Sequence, residues 1–366
     1  MVNIAILFAQ PKENLILKKI SLNHRIWIVN DDPMHWRKQD EFFVCSLEET
    51  IRKYIEGTLD FFLLFPLKYK CIDEVFLFLV NNGVNSCDIY KMSIKQLAGV
   101  ETLDVMHRYS ENNELEYLAI HACDYCNLRC NNCAAMCNSN YAQKNISLSK
   151  TVESLNKLKK YYDNVINIQL VGGEPLLNDE LLLLCESVRR IFPYSLIEIV
   201  TNGTMILNQT VSFFETLSKL KIIVSISYYP VLSDKIDEIN DILKKLKVEY
   251  KISEKIRYFD NLYDLNGESD IEKTYRACKS IPYCKNGLNL FENYLYPCLA
   301  PIALHRYGII NKDNYSSDLD QCSNIKKAID SVINIRELCR FCHIDYHSKW
   351  RQLSDDEIDM KSNWSV

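Results

Sequence analysis

The sequence predicts an α/β protein built on parallel sheets. Residues 1 to about 110 alternate short apolar runs with helical patterns, and residues 115 to about 255 repeat a strand–helix unit. Parallel neighbours need a long crossover, usually a helix, so this alternation is their signature. A third observation gives the second block its chemistry. Its first strand runs into His121-Ala-Cys-Asp-Tyr-Cys-Asn-Leu-Arg-Cys-Asn-Asn-Cys133, which sets Cys126, Cys130 and Cys133 at C-x3-C-x2-C spacing.

The elements follow in order. Asn3–Phe8, Arg25–Val29, Asp60–Phe65 and Cys87–Tyr90 read as strands. Ser46–Glu56 and Ile72–Asn82 read as helices, with Ser46 three residues before Glu49 as a cap and Gly83 placed to end the second helix. The layout resembles a Rossmann-like domain of the kind found beside sugar-modifying enzymes. It lacks the phosphate loop, because Ala9-Gln-Pro-Lys-Glu-Asn14 follows the first strand and holds no glycine. Asp31 and Asp32 therefore read as a turn, and residues 1–110 as a docking or scaffold unit. Residues 103 to 114 are polar and read as a linker. A strand from about Leu115 to His121 delivers the cysteines. Helix Ser149–Tyr162, strand Val165–Val171, helix Asp179–Ile191, strand Leu196–Thr201, helix Gln209–Leu220, strand Lys221–Ser227, helix Lys235–Lys247 and strand Val248–Ile252 complete the repeat.

Composition narrows the function classes. The chain has 366 residues, 48% of them hydrophobic, so two or three domains with real cores are expected. A net charge of −5 argues against nucleic acid as the main partner. Fifteen cysteines in tight clusters imply reduced thiols and a cytoplasmic setting rather than a disulfide framework. The apolar start, Met1-Val-Asn-Ile-Ala-Ile-Leu-Phe, has no basic leader and reads as a strand, not a signal peptide. No stretch approaches the roughly 20 apolar residues of a membrane span.

Three thiolates on one loop suit a four-iron cluster and leave one iron without a protein ligand, whereas a closed site takes four. Zinc is the alternative, with Cys123, Cys137 or His121 as a fourth ligand; otherwise Cys123 and Cys137 are bystanders. The cysteine spacing, followed by Gly172-Gly173-Glu174-Pro175, resembles the radical S-adenosylmethionine (SAM) superfamily. The resemblance implies a partial (β/α)6 barrel over residues 111–265, in which SAM chelates the open iron of a 4Fe-4S cluster held by Cys126, Cys130 and Cys133. It implies that Gly172, Gly173, Glu174 and Pro175 support the SAM amine. Thr201 and Asn202 would border its methionyl or ribose portion, and Ser225 and Ser227, on one face of a strand, would bond ribose or carboxylate. An ordinary Asn-Gly turn and backbone-satisfied serines are the alternatives for these last positions. The family usually places an aromatic residue before the third cysteine, beside adenine; here that residue is Asn132.

A second cysteine group lies within residues 266–366: Cys278 and Cys284, then Glu292-Asn-Tyr-Leu-Tyr-Pro-Cys298, then Leu338-Cys-Arg-Phe-Cys-His343. It resembles the SPASM/Twitch extensions that hold auxiliary iron–sulfur clusters. The resemblance implies one auxiliary cluster on Cys298, Cys339 and Cys342, with Cys278 or Cys284 as fourth ligand. Asn293 stands where those extensions place a glycine turn, and Asn tolerates the left-handed conformation. Structural zinc is again the rival. Cys45, Cys71, Cys87 and Cys185 read as buried small hydrophobes. Cys322 has no supporting spacing, and His343 and His347 read as solvent or outer-shell groups.

The resemblance implies a radical SAM oxidoreductase. A 5′-deoxyadenosyl radical would abstract hydrogen from a small polar substrate, of sugar or aminocyclitol type, for dehydrogenation or epimerisation. Electrons would come from a donor such as flavodoxin or ferredoxin. Peptide or protein side-chain maturation, and a non-catalytic iron–sulfur or zinc protein, are the competing readings. The N-terminal α/β pattern does not resemble the winged-helix leader-binding modules of peptide maturases.

Overall fold

The computed structural model describes residues 3–7, 25–29, 43–64, 72–85, 88–91, 107–108, 114–137, 146–162, 164–259, 262–278, 287–322, 324–333, 335–343 and 347–358. They fall into two compact units, Met1–Asn112 and Asn113–Val366.

The first unit is a six-stranded sheet of β1 (Asn3–Leu7), β2 (Arg25–Val29), β3 (Phe43–Cys45), β4 (Phe61–Leu64), β5 (Ile89–Lys91) and β6 (His107–Arg108), in the order β3-β2-β1-β4-β5-β6. All neighbours are parallel except β6, which runs antiparallel to β5. Strand β3 was not legible in the sequence because three residues show no alternation. The expected linker from residue 103 contains β6, and residue 114 already belongs to the next sheet. Helix α1 (Leu47–Ile55) is capped as expected, the Ser46 hydroxyl accepting from the Glu49 amide. Helix α2 (Ile72–Asn81) ends ahead of Gly83, which takes φ +92°. Cys45 is buried. Residues 9–14, Asp31, Asp32, Cys71 and Cys87 lie outside the described residues.

The second unit is the partial (β/α)6 barrel. Strands β7 (Glu114–Cys123), β8 (Asn164–Gly172), β9 (Leu196–Thr201), β10 (Ile222–Ile226) and β11 (Tyr250–Ile252) are parallel. Helices α3 (Leu148–Tyr161), α4 (Leu181–Ile191), α5 (Val211–Lys219) and α6 (Ile236–Lys245) cross between them. A sixth parallel strand, β14 (Gly287–Phe291), joins at the β7 edge. Antiparallel β15 (Tyr294–Tyr296) and β16 (Ser317–Asp318) continue the sheet outward. The cysteine-rich extension thus shares a sheet with the barrel.

Alternation sorts the side chains. Leu118, Ile120, Ile168, Leu170, Ile197, Ile199, Ile222 and Val224 point to the helices and join their Leu155, Leu158, Leu184, Val188, Leu217 and Leu243 in one core. Each such side chain contributes about 2 kcal/mol by leaving water, so this face fixes the register. The opposite face carries Tyr117, His121, Gln169, Glu198, Ser225 and Lys251 among Ala119, Val171, Val200 and Ile223.

The extension is held by short elements. Strand β12 (Tyr258–Phe259) pairs with β18 (Ser348–Lys349), and β13 (Leu262–Tyr263) with β17 (Cys342–His343). Helices α7 (Ile271–Ala277) and α8 (Ala300–Arg306) pack against the 3-10 turn Glu337–Phe341, and α9 (Ile325–Ile333) packs on β15 and β16. The turn from β14 to β15 departs from expectation. Its left-handed residue is Glu292 (φ +52°), not Asn293. The Asn293 side chain instead donates to Asp318 at 2.6 Å, tying the hairpin to β16.

Candidate active site

The cysteine loop leaves β7 at the C-terminal edge of the sheet, where parallel α/β folds place their sites. Residues Arg129, Asn132 and Met136 take left-handed backbone angles, φ +45°, +52° and +50°. These reversals coil the loop. Cys130 is buried, and Cys126 and Cys133 are partly so.

Gly172 and Gly173 form the floor under this loop. The Gly173 amide donates to the Cys123 carbonyl at 3.0 Å, and the Glu174 amide to the Tyr125 carbonyl at 2.9 Å. A Cβ on Gly172 would stand 2.2 Å from the Cys123 carbonyl oxygen, and one on Gly173 would stand 1.9 Å from that of Tyr125. Gly172 also takes φ +138°. The pair is therefore required for backbone-to-backbone approach. Pro175 opens the 3-10 turn Pro175–Leu177, where its missing amide proton costs nothing. The Tyr125 hydroxyl donates to the Leu177 carbonyl at 2.9 Å and clips this turn to the loop.

Glu174 is fully buried. Its carboxylate accepts from the Thr201 hydroxyl at 2.6 Å, the Asn202 amide at 2.7 Å and the Leu176 amide at 3.0 Å. Burial raises its carboxyl to about 7, against the pull of those three bonds. Glu174 therefore locks the end of β8 to the end of β9. Asn202 carries the link onward, its side-chain amide donating to Asn127 at 2.9 Å and to the Cys126 sulfur at 3.6 Å. Gly172, Gly173, Glu174, Thr201 and Asn202 thus gather around Cys126. Ser225 lies on β10 while Ser227 stands one residue past its end, not on the strand as expected, and their hydroxyls take no partner among the described residues.

The three thiols sit in different fields. Burial pushes Cys126 up, while the Leu128 amide donates to its sulfur at 3.5 Å. Burial pushes Cys130 up to about 12, and the Trp350 indole N–H, 3.1 Å from that sulfur, opposes this. Cys133 goes down to about 6, chiefly through the neighbouring Cys137 thiol. Cys126 and Cys130 each therefore have an N–H donor beside the sulfur. Among the described residues, no three Cys, His, Asp or Glu side chains converge tightly enough to chelate one metal ion.

Several contributors had no sequence signal. The segment Ser348–Leu353 lies along the cysteine loop. The Asn131 amide donates to the Arg351 carbonyl at 3.0 Å, the Leu353 amide to Arg129 at 2.9 Å, and Gln352 to the Leu128 carbonyl at 3.0 Å. The Asn132 side chain bonds Ser348, so the position before the third cysteine anchors this strap. The Trp350 ring packs on Tyr229, centroids 5.6 Å apart, and Tyr229 faces Phe259. The only hint in the sequence was the missing aromatic at Asn132. A buried ion pair also went unseen: Arg306 on α8 meets Asp124 and donates to the Ala135 carbonyl at 2.6 Å. His121, buried nearby, drops to about 3, through burial first and the Arg306 charge second.

In the second cysteine group, Cys278 caps the end of α7, Cys298 precedes α8, and Cys339 lies in the 3-10 turn that both helices pack against. Cys342 pairs with Tyr263 across β13 and β17. The chain thus brings Cys278, Cys298, Cys339 and Cys342 to one region. Cys284 lies outside the described residues. Cys185 is buried in the helix-side core. His343 carries a buried Nδ1 with no hydrogen-bond partner among the described residues.

On the inner face, a row of contacts crosses the sheet. The Tyr117 hydroxyl donates to Gln169 at 2.8 Å, Gln169 donates to Glu198 at 3.2 Å, and Lys251 meets Glu198 at 2.6 Å. Glu198 is buried while Lys251 is half exposed. No helix among the described residues is long and apolar enough to cross a membrane.

Comparison with known proteins gives one family match: the Radical SAM superfamily, over residues 120–274. No curated protein matches the chain. Among solved structures, native anSMEcpe with bound AdoMet is 21% identical over 37% of this chain and 43% of its own, with TM-score 0.31. BtrN in complex with AdoMet and 2-DOIA is 16% identical over 62% and 85%, with TM-score 0.39. Streptococcus suis SuiB bound to precursor peptide SuiA is 12% identical over 52% and 61%, with TM-score 0.33. The chain therefore spans less than half the length of anSMEcpe.

Proposed function

From the radical SAM domain that this chain carries over residues 120–274, whose cofactors are a 4Fe-4S cluster and SAM, we propose a hydrogen-abstracting oxidoreductase acting on a small polar substrate. The observation that carries the reading is the loop of Cys126, Cys130 and Cys133 at the C-terminal edge of the parallel strands, inside the matched segment.

The donor set fits the cluster. Three thiols stand on one loop, and the Leu128 amide and the Trp350 indole point at Cys126 and Cys130. Such donors stabilise sulfur as thiolate, the form that binds iron. When bound, the cluster and SAM supply reductive cleavage of a sulfonium and abstraction of a hydrogen atom. The chain's own residues hold and shield the reactants. Cys126, Cys130 and Cys133 hold the iron. Gly172 and Gly173 let the floor approach the loop, and Glu174 fixes the floor to Thr201 and Asn202. Ser225 and Ser227 offer open hydroxyls toward SAM.

The substrate class is inferred from the inner face. Tyr117, Gln169, Glu198 and Lys251 form a polar row suited to hydroxyls and amines, which supports a sugar or aminocyclitol type. Glu198, buried on this face and paired with Lys251 and Gln169, places a carboxylate where such a substrate would lie. We assign residues 266–366 to an auxiliary cluster on Cys298, Cys339, Cys342 and either Cys278 or Cys284. That assignment is supported by the packing of α7 and α8 on the Cys339 turn. Residues 1–110 act as a docking unit, and a small electron donor of flavodoxin or ferredoxin type supplies the electron.

The test is anaerobic reconstitution with iron and sulfide, then dithionite and SAM. The protein yields 5′-deoxyadenosine, and the Cys126→Ala/Cys130→Ala/Cys133→Ala variant does not. Undiminished cleavage by that variant overturns the reading. The same variant keeps about four irons if an auxiliary cubane is present; zinc in its place overturns the auxiliary assignment alone. Deuterated polyols and aminocyclitols, offered beside peptides, decide the substrate class by label transfer into 5′-deoxyadenosine.

A further inference from the structure

We propose that Trp350 is a positioning residue of the cluster site, through which the C-terminal strap sets the reduction potential of the cluster on Cys126, Cys130 and Cys133. The inference rests on the reading above.

The geometry is specific. The strap is pinned on both flanks. On one side β18 pairs with β12, and the Trp350 amide donates to the Arg257 carbonyl at 2.9 Å. On the other, the backbones of Cys130 and Gln352 form an antiparallel bridge, and the Arg351 amide donates to the Asn131 side chain at 2.8 Å. Arg129 and Asp355 add an ion pair. Between these flanks the Trp350 indole N–H points at the Cys130 sulfur, 3.1 Å away. Its ring is held against Tyr229 at 5.6 Å. Indole is a donor only, so this contact has one polarity: the nitrogen gives its proton to sulfur. Backbone on one side and an aromatic ring on the other fix its direction.

That polarity has a redox consequence. Reducing a four-iron cluster adds one negative charge, shared among iron and sulfur, and no proton. A donor aimed at a ligand sulfur stabilises the more negative state and moves the potential upward. Because the site is buried, little solvent competes for that sulfur. Trp350 lies 220 residues from Cys130, so the tuning group belongs to a segment outside the matched domain. A strap detached from the loop would leave a cluster that is harder to reduce.

The experiment compares wild type, W350F and W350H, each reconstituted anaerobically, with iron counted and the potential read by dithionite titration followed by electron paramagnetic resonance. W350F keeps a ring against Tyr229 but has no donor. Its potential shifts to a lower value at unchanged iron content. W350H restores a ring N–H, and its potential returns part of the way. An unshifted potential in W350F at full iron overturns the proposal while leaving the radical SAM reading intact. A downward shift in W350F that W350H does not reverse also overturns it, because packing and not donation would then be responsible. Failure of the wild type to bind iron at its three cysteines overturns both.

Discussion

Replacing Gly173 by Ala tests the floor of the site. The backbone angle at Gly173 is not left-handed, so alanine brings no conformational penalty there, and the effect is steric alone. The added Cβ would lie 1.9 Å from the Tyr125 carbonyl oxygen, 2.3 Å from its carbon and 2.9 Å from the Cys126 amide nitrogen. All three are backbone atoms and none can rotate away. The two backbone segments must separate by more than an ångström. That breaks the Glu174-to-Tyr125 bond of 2.9 Å and strains the Gly173-to-Cys123 bond of 3.0 Å. Leaving buried backbone groups unpaired costs about 1–3 kcal/mol each, and overpacking adds a comparable amount. The expected loss is about 3–5 kcal/mol by urea denaturation of the iron-free protein. Because Cys126 moves with its amide, iron incorporation falls as well. A variant within about 1 kcal/mol of wild type, with full iron, would refute the close approach and the role given to this glycine.

Other outcomes follow from the buried charges. For Glu174 the folded carboxyl titrates at about 7, above its ordinary value of 4.5. The folded state therefore binds the proton more tightly, and the stability it contributes at low pH is lost as pH rises from 4.5 through about 7. The change amounts to about 3 kcal/mol. In Glu174→Gln that fall disappears, measured as the difference between variant and wild type in urea denaturation at pH 5 and pH 8; parallel profiles would count against it. Arg306→Ala takes the guanidinium from the buried Asp124 carboxylate and is expected to cost about 3–5 kcal/mol, with partial recovery in Asp124→Asn/Arg306→Met. Equal stability of the single and double variants would mean that the pair is not buried as described. Lys251→Met leaves Glu198 with only its Gln169 bond and is expected to cost about 1–3 kcal/mol; adding Glu198→Gln restores part of this, and strict additivity in thermal unfolding would show no coupling.

The sequence by itself determined the local and the repetitive. The βα alternation gave the parallel order of β7 to β11, because strand and helix periods are properties of short windows. Ser46 announced α1 because a cap acts over three residues. The C-x3-C-x2-C loop and Gly172-Gly173-Glu174-Pro175 were readable for the same reason, since each is a contiguous stretch with its own backbone demands. Asn293 shows the limit even there: the resemblance to auxiliary-cluster extensions implied a left-handed residue at Asn293, but the conformation fell on Glu292, while the Asn293 side chain bonds Asp318. Tertiary structure decided what depends on remote segments meeting. That β14 joins the β7 edge, that Glu174 reaches Thr201 and Asn202, that Arg306 neutralises Asp124, and that Trp350 returns to Cys130 all rest on long-range contacts. No periodicity or spacing encodes them, because their free energy comes from burial and pairing that exist only once the sheet has formed.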